Sequence, residues 1–156
     1  MPTLTPFLAF QDQAEQAATF YCSIFPNAKI TSVTPYPDIP VAPKPGIAMV
    51  VEVELFGQRY IFMNGGDHFT FTDGFSLAVE CDSQAEIDRY WAALVEGGGK
   101  HGPCGWLTDR YGLSWQVMPR DIATIIGSGA QAKRVMEAVM TMSKLDVATM
   151  RRAANG

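Results

Sequence analysis

The feature that most constrains this chain is an internal echo. Asp12-Gln13-Ala14-Glu15 recurs as Ser83-Gln84-Ala85-Glu86, 71 positions later, and a short apolar run (7–10, then 77–81) precedes each copy. Each tetrapeptide has the form of a capping box. Asp12 or Ser83 accepts from an orphan N–H of a first helical turn, while Glu15 or Glu86 reaches back to the cap. A strand-then-helix start repeated at this period in 156 residues implies two similar halves and a tail.

Each cap leads into a segment of helical period. Ala14, Ala17, Ala18, Tyr21 and Phe25 form one stripe that Pro26 stops; Ile87, Tyr90, Trp91 and Leu94 form the other, ended by Gly97-Gly98-Gly99. Both stripes read as core. Residues rich in Val, Ile, Thr and aromatics predict strands over 29–36, 46–56 and 58–64, with Phe56-Gly57-Gln58 as a hairpin turn. In the second half strands are expected over 101–106, 107–110 and 113–119, with Asp109-Arg110-Tyr111-Gly112 as a type I turn. Five prolines between Pro35 and Pro45 exclude a sheet interior and indicate a stiff surface connection, with a lid as the alternative. After Pro119 the pattern turns helical: Ala132, Val135, Met136, Val139 and Met140 share a stripe, and Asp146 can cap a last helix ending near Ala154. Met136, Met140, Met142 and Met150 offer adaptable packing, in the core or against a second subunit. The chain is therefore read as α+β, with βαβββ modules over 1–66 and 67–119 forming one domain and a helical tail over 120–156.

Composition excludes several classes of function. With 47% hydrophobic and 18% charged residues the chain is too apolar to be disordered. Twelve Lys plus Arg against sixteen Asp plus Glu give a net charge of −4, which argues against a nucleic-acid footprint. Cys22, Cys81 and Cys104 are odd in number and lack metal-ligand spacing, as expected of free thiols in the cytoplasm. Met1-Pro2-Thr3-Leu4 lacks the pattern of a signal peptide, and no apolar run is long enough for a membrane span. Gly127-Ser128-Gly129-Ala130-Gln131-Ala132 matches G-x-G-x-x-A, but a nucleotide or S-adenosylmethionine fold needs that turn after a strand and before several βα units. Only 24 residues remain beyond Ala132, all of helical period.

Two βαβββ copies resemble the vicinal oxygen chelate superfamily, which includes glyoxalase I, bleomycin-resistance proteins and extradiol dioxygenases. More specifically, Pro6-Phe7-Leu8-Ala9-Phe10, Asn64-Gly65-Gly66, Asp88-Arg89-Tyr90-Trp91, the run from Cys104 to Pro119 and the tail Met142-Ser143-Lys144-Leu145-Asp146 resemble its PhnB-like branch. Some members of that branch carry the label 3-demethylubiquinone methyltransferase, for which this sequence offers no methyl-donor motif. The resemblance implies a curved mixed sheet around a cavity, a homodimer, and, in the enzymes, a divalent metal held by His or Glu from the first and last strands of each module. Carried onto this chain, those positions lie near Pro6, within 59–64, at Ser76 and at Gln116. Pro6 has no ligating side chain, 59–64 contains no Asp, Glu or His, Ser76 is a poor ligand and Gln116 is neutral. No metal or other cofactor is therefore expected. His68 and His101 have no partner at metal spacing.

A small-ligand cavity remains. Strand alternation puts Ser76, Ala78 and Glu80 on one face, and Ser114, Gln116 and Met118 inward. With Leu8, Phe10, Met63 and Asn64 they would line an apolar pocket bearing a few polar groups. Glu80 is a candidate base if desolvated, and Cys104 a candidate nucleophile between Pro103 and Gly105. Trp106 and Trp115 read as sheet packing. Three functions compete: metal-independent binding of a small molecule, which is preferred; a divalent-metal-dependent lyase, isomerase or dioxygenase; and a structural dimer whose pocket is filled by its own side chains. No membrane or nucleic-acid partner is expected.

Overall fold

The computed structural model describes residues 1–156 and divides into two compact units, Met1–Thr70 and Phe71–Gly156. The first contains β1 (Phe7–Phe10), α1 (Ala14–Ile24), β2 (Lys29–Pro35), β3 (Ala48–Leu55) and β4 (Gln58–Asn64). Its sheet runs β1-β4-β3-β2, with β1 parallel to β4 and the other pairs antiparallel. The second contains β5 (Ser76–Cys81), α2 (Gln84–Ala93), β6 (Lys100–His101), β7 (Trp106–Thr108) and β8 (Ser114–Pro119) in the matching order β5-β8-β7-β6. The βαβββ repeat is thus present twice. No ladder bond joins the two sheets, so the eight strands form two mixed sheets of four rather than one continuous sheet. No helix is long and apolar enough to cross a membrane.

In the first unit α1 covers one face of its sheet. Ala14, Ala17, Ala18 and Tyr21 are fully buried as the stripe requires, and the Tyr21 ring meets Phe62 edge-on at 5.9 Å. The helix does not start as the capping-box pattern predicts. Its N-cap is Gln13, with no side-chain bond, and Asp12 instead pairs with Lys44. The orphan donor of Ala14 is taken by the buried Asn64 Oδ1 at 2.8 Å, and Asn64 Nδ2 donates to the Ala48 carbonyl at 2.9 Å. A buried amide from the end of β4 thus replaces the local cap, because it satisfies α1 and β3 together. Phe56 and Gly57 both adopt positive φ (49° and 77°), giving the two-residue turn whose twist suits a hairpin. The proline-rich loop is tied down: Tyr36 Oη donates to the Asn64 carbonyl at 2.5 Å, and Lys44 bonds Asp12. Pro35 is tolerated because β2 is an edge strand.

In the second unit the cap is local as predicted, except that the return bond lands one residue before the N-cap Ser83. Ser83 Oγ accepts from the Glu86 N–H at 3.2 Å, and Glu86 reaches back to the Asp82 N–H at 2.7 Å. Ile87, Tyr90, Trp91 and Leu94 are buried as predicted. The two strands expected over 101–110 are shorter, and a turn at 102–105 separates them. Pro103 has no N–H to give a ladder, and Cys104 and Gly105 have φ of 57° and 84°. At Gly105 a Cβ would lie 2.9 Å from the Val117 carbonyl oxygen, so the approach needs glycine. The β7–β8 turn is organised by Asp109, which is buried. Its Oδ1 accepts from the N–H groups of Tyr111 (2.8 Å) and Leu113 (3.1 Å), and its Oδ2 from Trp115 Nε1 (2.8 Å).

The tail consists of α3 (Ile122–Ile126), α4 (Gly129–Val139) and α5 (Val147–Asn155). Asp146 caps α5 by accepting from the Thr149 N–H at 2.6 Å. Ile125, Val135, Val139, Leu145 and Met150 form the tail's core. Met136 and Met140 lie outside this core and are exposed, Met140 by 74%, because Val135 and Val139 take the inward face of α4.

Replacing Asp109 by Ala should strand three donors inside the hairpin. We expect a loss of about 3 kcal/mol or more in urea unfolding, given ~1–3 kcal/mol per orphaned buried group, whereas Asp109→Asn should lose less. Acid should also weaken the fold. The Arg59, Arg120 and Lys144 cations hold Glu52, Asp82 and Asp88 below the usual carboxylate range, and backbone donation holds Asp146 there. The unfolded chain binds protons more readily at these sites. Their stabilisation is therefore complete above about pH 5 and lost as the pH falls through the folded values, to be read as a falling urea midpoint below about pH 4.

Candidate functional site

The face that each helix covers determines which side chains are left to meet a ligand. In the first unit β1 and β4 pair Leu8 with Phe62 and Phe10 with Asn64. Phe62 faces Tyr21 of α1 and Asn64 caps α1, so Leu8, Phe10 and Asn64 belong to the covered face. All three are buried. This corrects their assignment to an open pocket. The opposite face carries Ala9, Val50, Ile61 and Met63, with Glu52 held by Arg59 through contacts of 3.0 and 2.8 Å.

In the second unit Leu107 pairs with both Trp115 and His101 and points to the helix side. His101 stacks on Trp91 of α2 at 4.4 Å with nearly parallel rings, and its Nε2 lies 2.9 Å from the Trp91 carbonyl. It is committed to packing. On the other face one row crosses all four strands: Lys100 opposite Thr108, Thr108 opposite Ser114, and Ser114 opposite Ser76. The next row sets Trp106 opposite Gln116 and Gln116 opposite Ala78. Four of them, Lys100, Trp106, Thr108 and Ser114, line a hollow of about 620 Å³ together with Asp73, Gly74, Gly102 and Pro103 and with parts of His101 and Leu107.

Ser76 and Gln116 do share the open face, as alternation predicts, but Gln116 Nε2 donates to Ser76 Oγ at 2.9 Å. Met118 instead packs against the helical tail. Glu80 is 55% exposed and lies 3.6 Å from Arg120, which also binds Asp82 at 2.6 Å. It therefore lacks the desolvation a base would need. Cys104 Sγ donates to the Val139 carbonyl at 3.5 Å, and its strained backbone is pinned by Met142. The contacts of Cys104 are those of a packing thiol. Burial, with Glu86 and Asp82 adding to it, pushes the Cys81 thiol up to about 11.

The superfamily's divalent ion does not fit this donor set. The two candidate positions of the second module are neutral groups bonded to each other, and those of the first, near Pro6 and within 59–64, offer no Asp, Glu or His. No three His, Cys, Asp or Glu side chains gather anywhere as a metal site. The G-x-G-x-x-A segment links α3 to α4 and comes after no strand, which is not the setting of a dinucleotide or methyl-donor loop.

Sequence reasoning missed Lys100, Trp106 and Thr108. Reading 101–106 as one strand hid the turn and with it the parity of these residues. Pro103 and Gly105 were the available signal.

Paired βαβββ modules, each a mixed sheet with one face open, are the fold that the resemblance to the vicinal oxygen chelate type implies. The family model for 3-demethylubiquinone-9 3-methyltransferase matches residues 2–118. The chain is also similar to a structure described as a 3-demethylubiquinone-9 3-methyltransferase, PhnB protein, from Bacillus cereus. The two are 32% identical over 75% of this chain and 99% of that one, with a TM-score of 0.66. A protein from Pseudomonas aeruginosa shares the fold at 21% identity, over 76% of this chain and 98% of that one, with a TM-score of 0.63. No curated protein matches. The chain belongs to the PhnB-like family named by that model.

Because an ordinary thiol titrates near 8.5 and Cys81 is pushed up to about 11, Cys81 should form ~200-fold less thiolate at pH 8. Mass spectrometry after timed iodoacetamide treatment should find Cys81 unmodified in the folded protein and modified in urea. Equal rates in the two states would contradict its burial.

Proposed function

We propose that this chain binds a small organic molecule in the hollow on the open face of its second sheet, without a divalent metal. The observation that carries this reading is the hollow itself. Its volume of about 620 Å³ lies within the usual range for ligand pockets of ~300–1,000 Å³, and it sets one large aromatic among a few polar groups. The donor chemistry supports metal independence, since Ser76 and Gln116 satisfy each other and Glu80 answers Arg120. Methyl transfer, suggested by the family's name, is no part of this reading, because the glycine-rich segment joins two helices.

We further propose a homodimer in the cytoplasm. The exposed Met136 and Met140 are compatible with a partner surface, and the three free cysteines with a reducing compartment. Module boundaries at 66/67 and 119/120 belong to the same proposal.

A thermal-shift screen of small organic acids, alcohols and amines, with chelator or with Zn, Ni, Mn or Fe, tests the reading. A binder at 100-fold over its Kd adds about 2.7 kcal/mol, a rise of several degrees. We expect that rise to persist in chelator and to vanish in Trp106→Ala. Stoichiometric divalent metal in protein purified without chelator, or stabilisation only when metal is added, would overturn it.

A further inference from the structure

We infer that the ligand of this hollow is a monoanionic aromatic acid, its ring on Trp106 and its anionic group on the row formed by Lys100, Thr108 and Ser114. The inference rests on the reading that the hollow takes a ligand and adds which chemistry it selects. Three observations converge on it. Of the twelve Lys and Arg side chains, Lys100 alone makes no hydrogen bond, ion pair or ring contact. The other eleven are spent on carboxylates, carbonyls, hydroxyls or rings; the one left over stands at the hollow.

The second observation is Ser114. It is only 3% exposed, it lines the hollow, and its hydroxyl has no hydrogen-bond partner in the protein. A buried hydroxyl normally finds one. No buried side-chain oxygen or nitrogen is sealed off without a partner, so what access the Ser114 hydroxyl keeps is to the hollow. The third observation is spacing. Strands lie about 4.8 Å apart, so Lys100, Thr108 and Ser114 present an ammonium and two hydroxyls along ~10 Å. Trp106 is two residues before Thr108 on the same face, ~7 Å along the strand. That offset suits a flat ring carrying a carboxylate directly or through one carbon. The Trp106 indole N–H is likewise unpartnered, unlike that of Trp115, which Asp109 holds.

Asp73 lines the same hollow and carries the charge opposite to Lys100, so a ligand with a second negative charge would meet no further cation there. Gln116, opposite Trp106 on β8, is bonded to Ser76 and is not part of the hollow's lining.

The test uses the full chain, labelled with ¹⁵N, and three probes of one shape: 2-naphthoate, 2-naphthylmethanol and 2-naphthylmethylammonium. The indole N–H resonance of Trp106, assigned by its loss in Trp106→Phe, reports occupancy of the hollow. We expect 2-naphthoate to shift it with a Kd at least 10-fold below that of the alcohol. Lys100→Met, at an exposed position, should remove that preference by weakening the acid at least 10-fold more than the alcohol, and Ser114→Ala should weaken the acid about 5-fold. Spectra of each variant confirm that it is folded. Equal Kd for acid and alcohol, or indifference to Lys100→Met, would overturn the anionic class yet leave the hollow a binding site. Tighter binding of the ammonium would overturn it in favour of control by Asp73. If no probe moves the Trp106 resonance at millimolar concentration, both the inference and the function it rests on fall.

Discussion

The β7–β8 hairpin depends on one buried carboxylate. Asp109 collects two backbone donors of the turn and the indole N–H of Trp115, and so fixes both the turn and the side on which Trp115 lies. Strand parity does the rest. With Trp115 and Leu107 turned to the helix side, Ser114, Gln116, Trp106 and Thr108 must face the other way. A slip of one residue would exchange the two sets and turn the hydroxyls to the helix side. The candidate site is therefore a consequence of a hydrogen-bonding problem solved on the opposite face of the same strands.

The two modules solve one physical problem by different means. Each helix begins with N–H groups that no earlier turn can satisfy. The second module answers locally with Ser83 and Glu86; the first answers at a distance with Asn64, from the end of β4. The distant answer also fastens the proline-rich loop, since the carbonyl of the same residue receives Tyr36. This divergence freed Asp12 for Lys44, and it turned Asn64 into a residue of the core.

Much of the fold was legible in the sequence because its signals are local and periodic. The Ser83 cap, the helical stripes of Ala17–Tyr21 type and the Phe56-Gly57 turn each depend on neighbours within a few residues, whereas the Asp12 cap read by the same rule did not form. Part of the site was legible for the same reason: alternation along β5 and β8 is enough to put Ser76 and Gln116 on one face. Leu8, Phe10 and Asn64 were misplaced because their parity is defined only relative to α1, and nothing local states which face a helix will cover. Lys100 and Trp106 were overlooked because strand β6 has two residues, too few to display a period.

By itself the sequence determined two βαβββ modules with a helical tail, since residue identity and short-range period suffice for them, and it holds no Asp, Glu or His at the positions that the resemblance implies for a metal. Tertiary structure alone decided that Asn64 would cap a helix 50 residues away, that Glu80 would answer Arg120, and that Lys100 and Ser114 would share one hollow without partners of their own. These depend on which strands lie side by side and in what register. Register is set by packing and buried hydrogen bonds between segments far apart in the chain, and no local pattern carries that information.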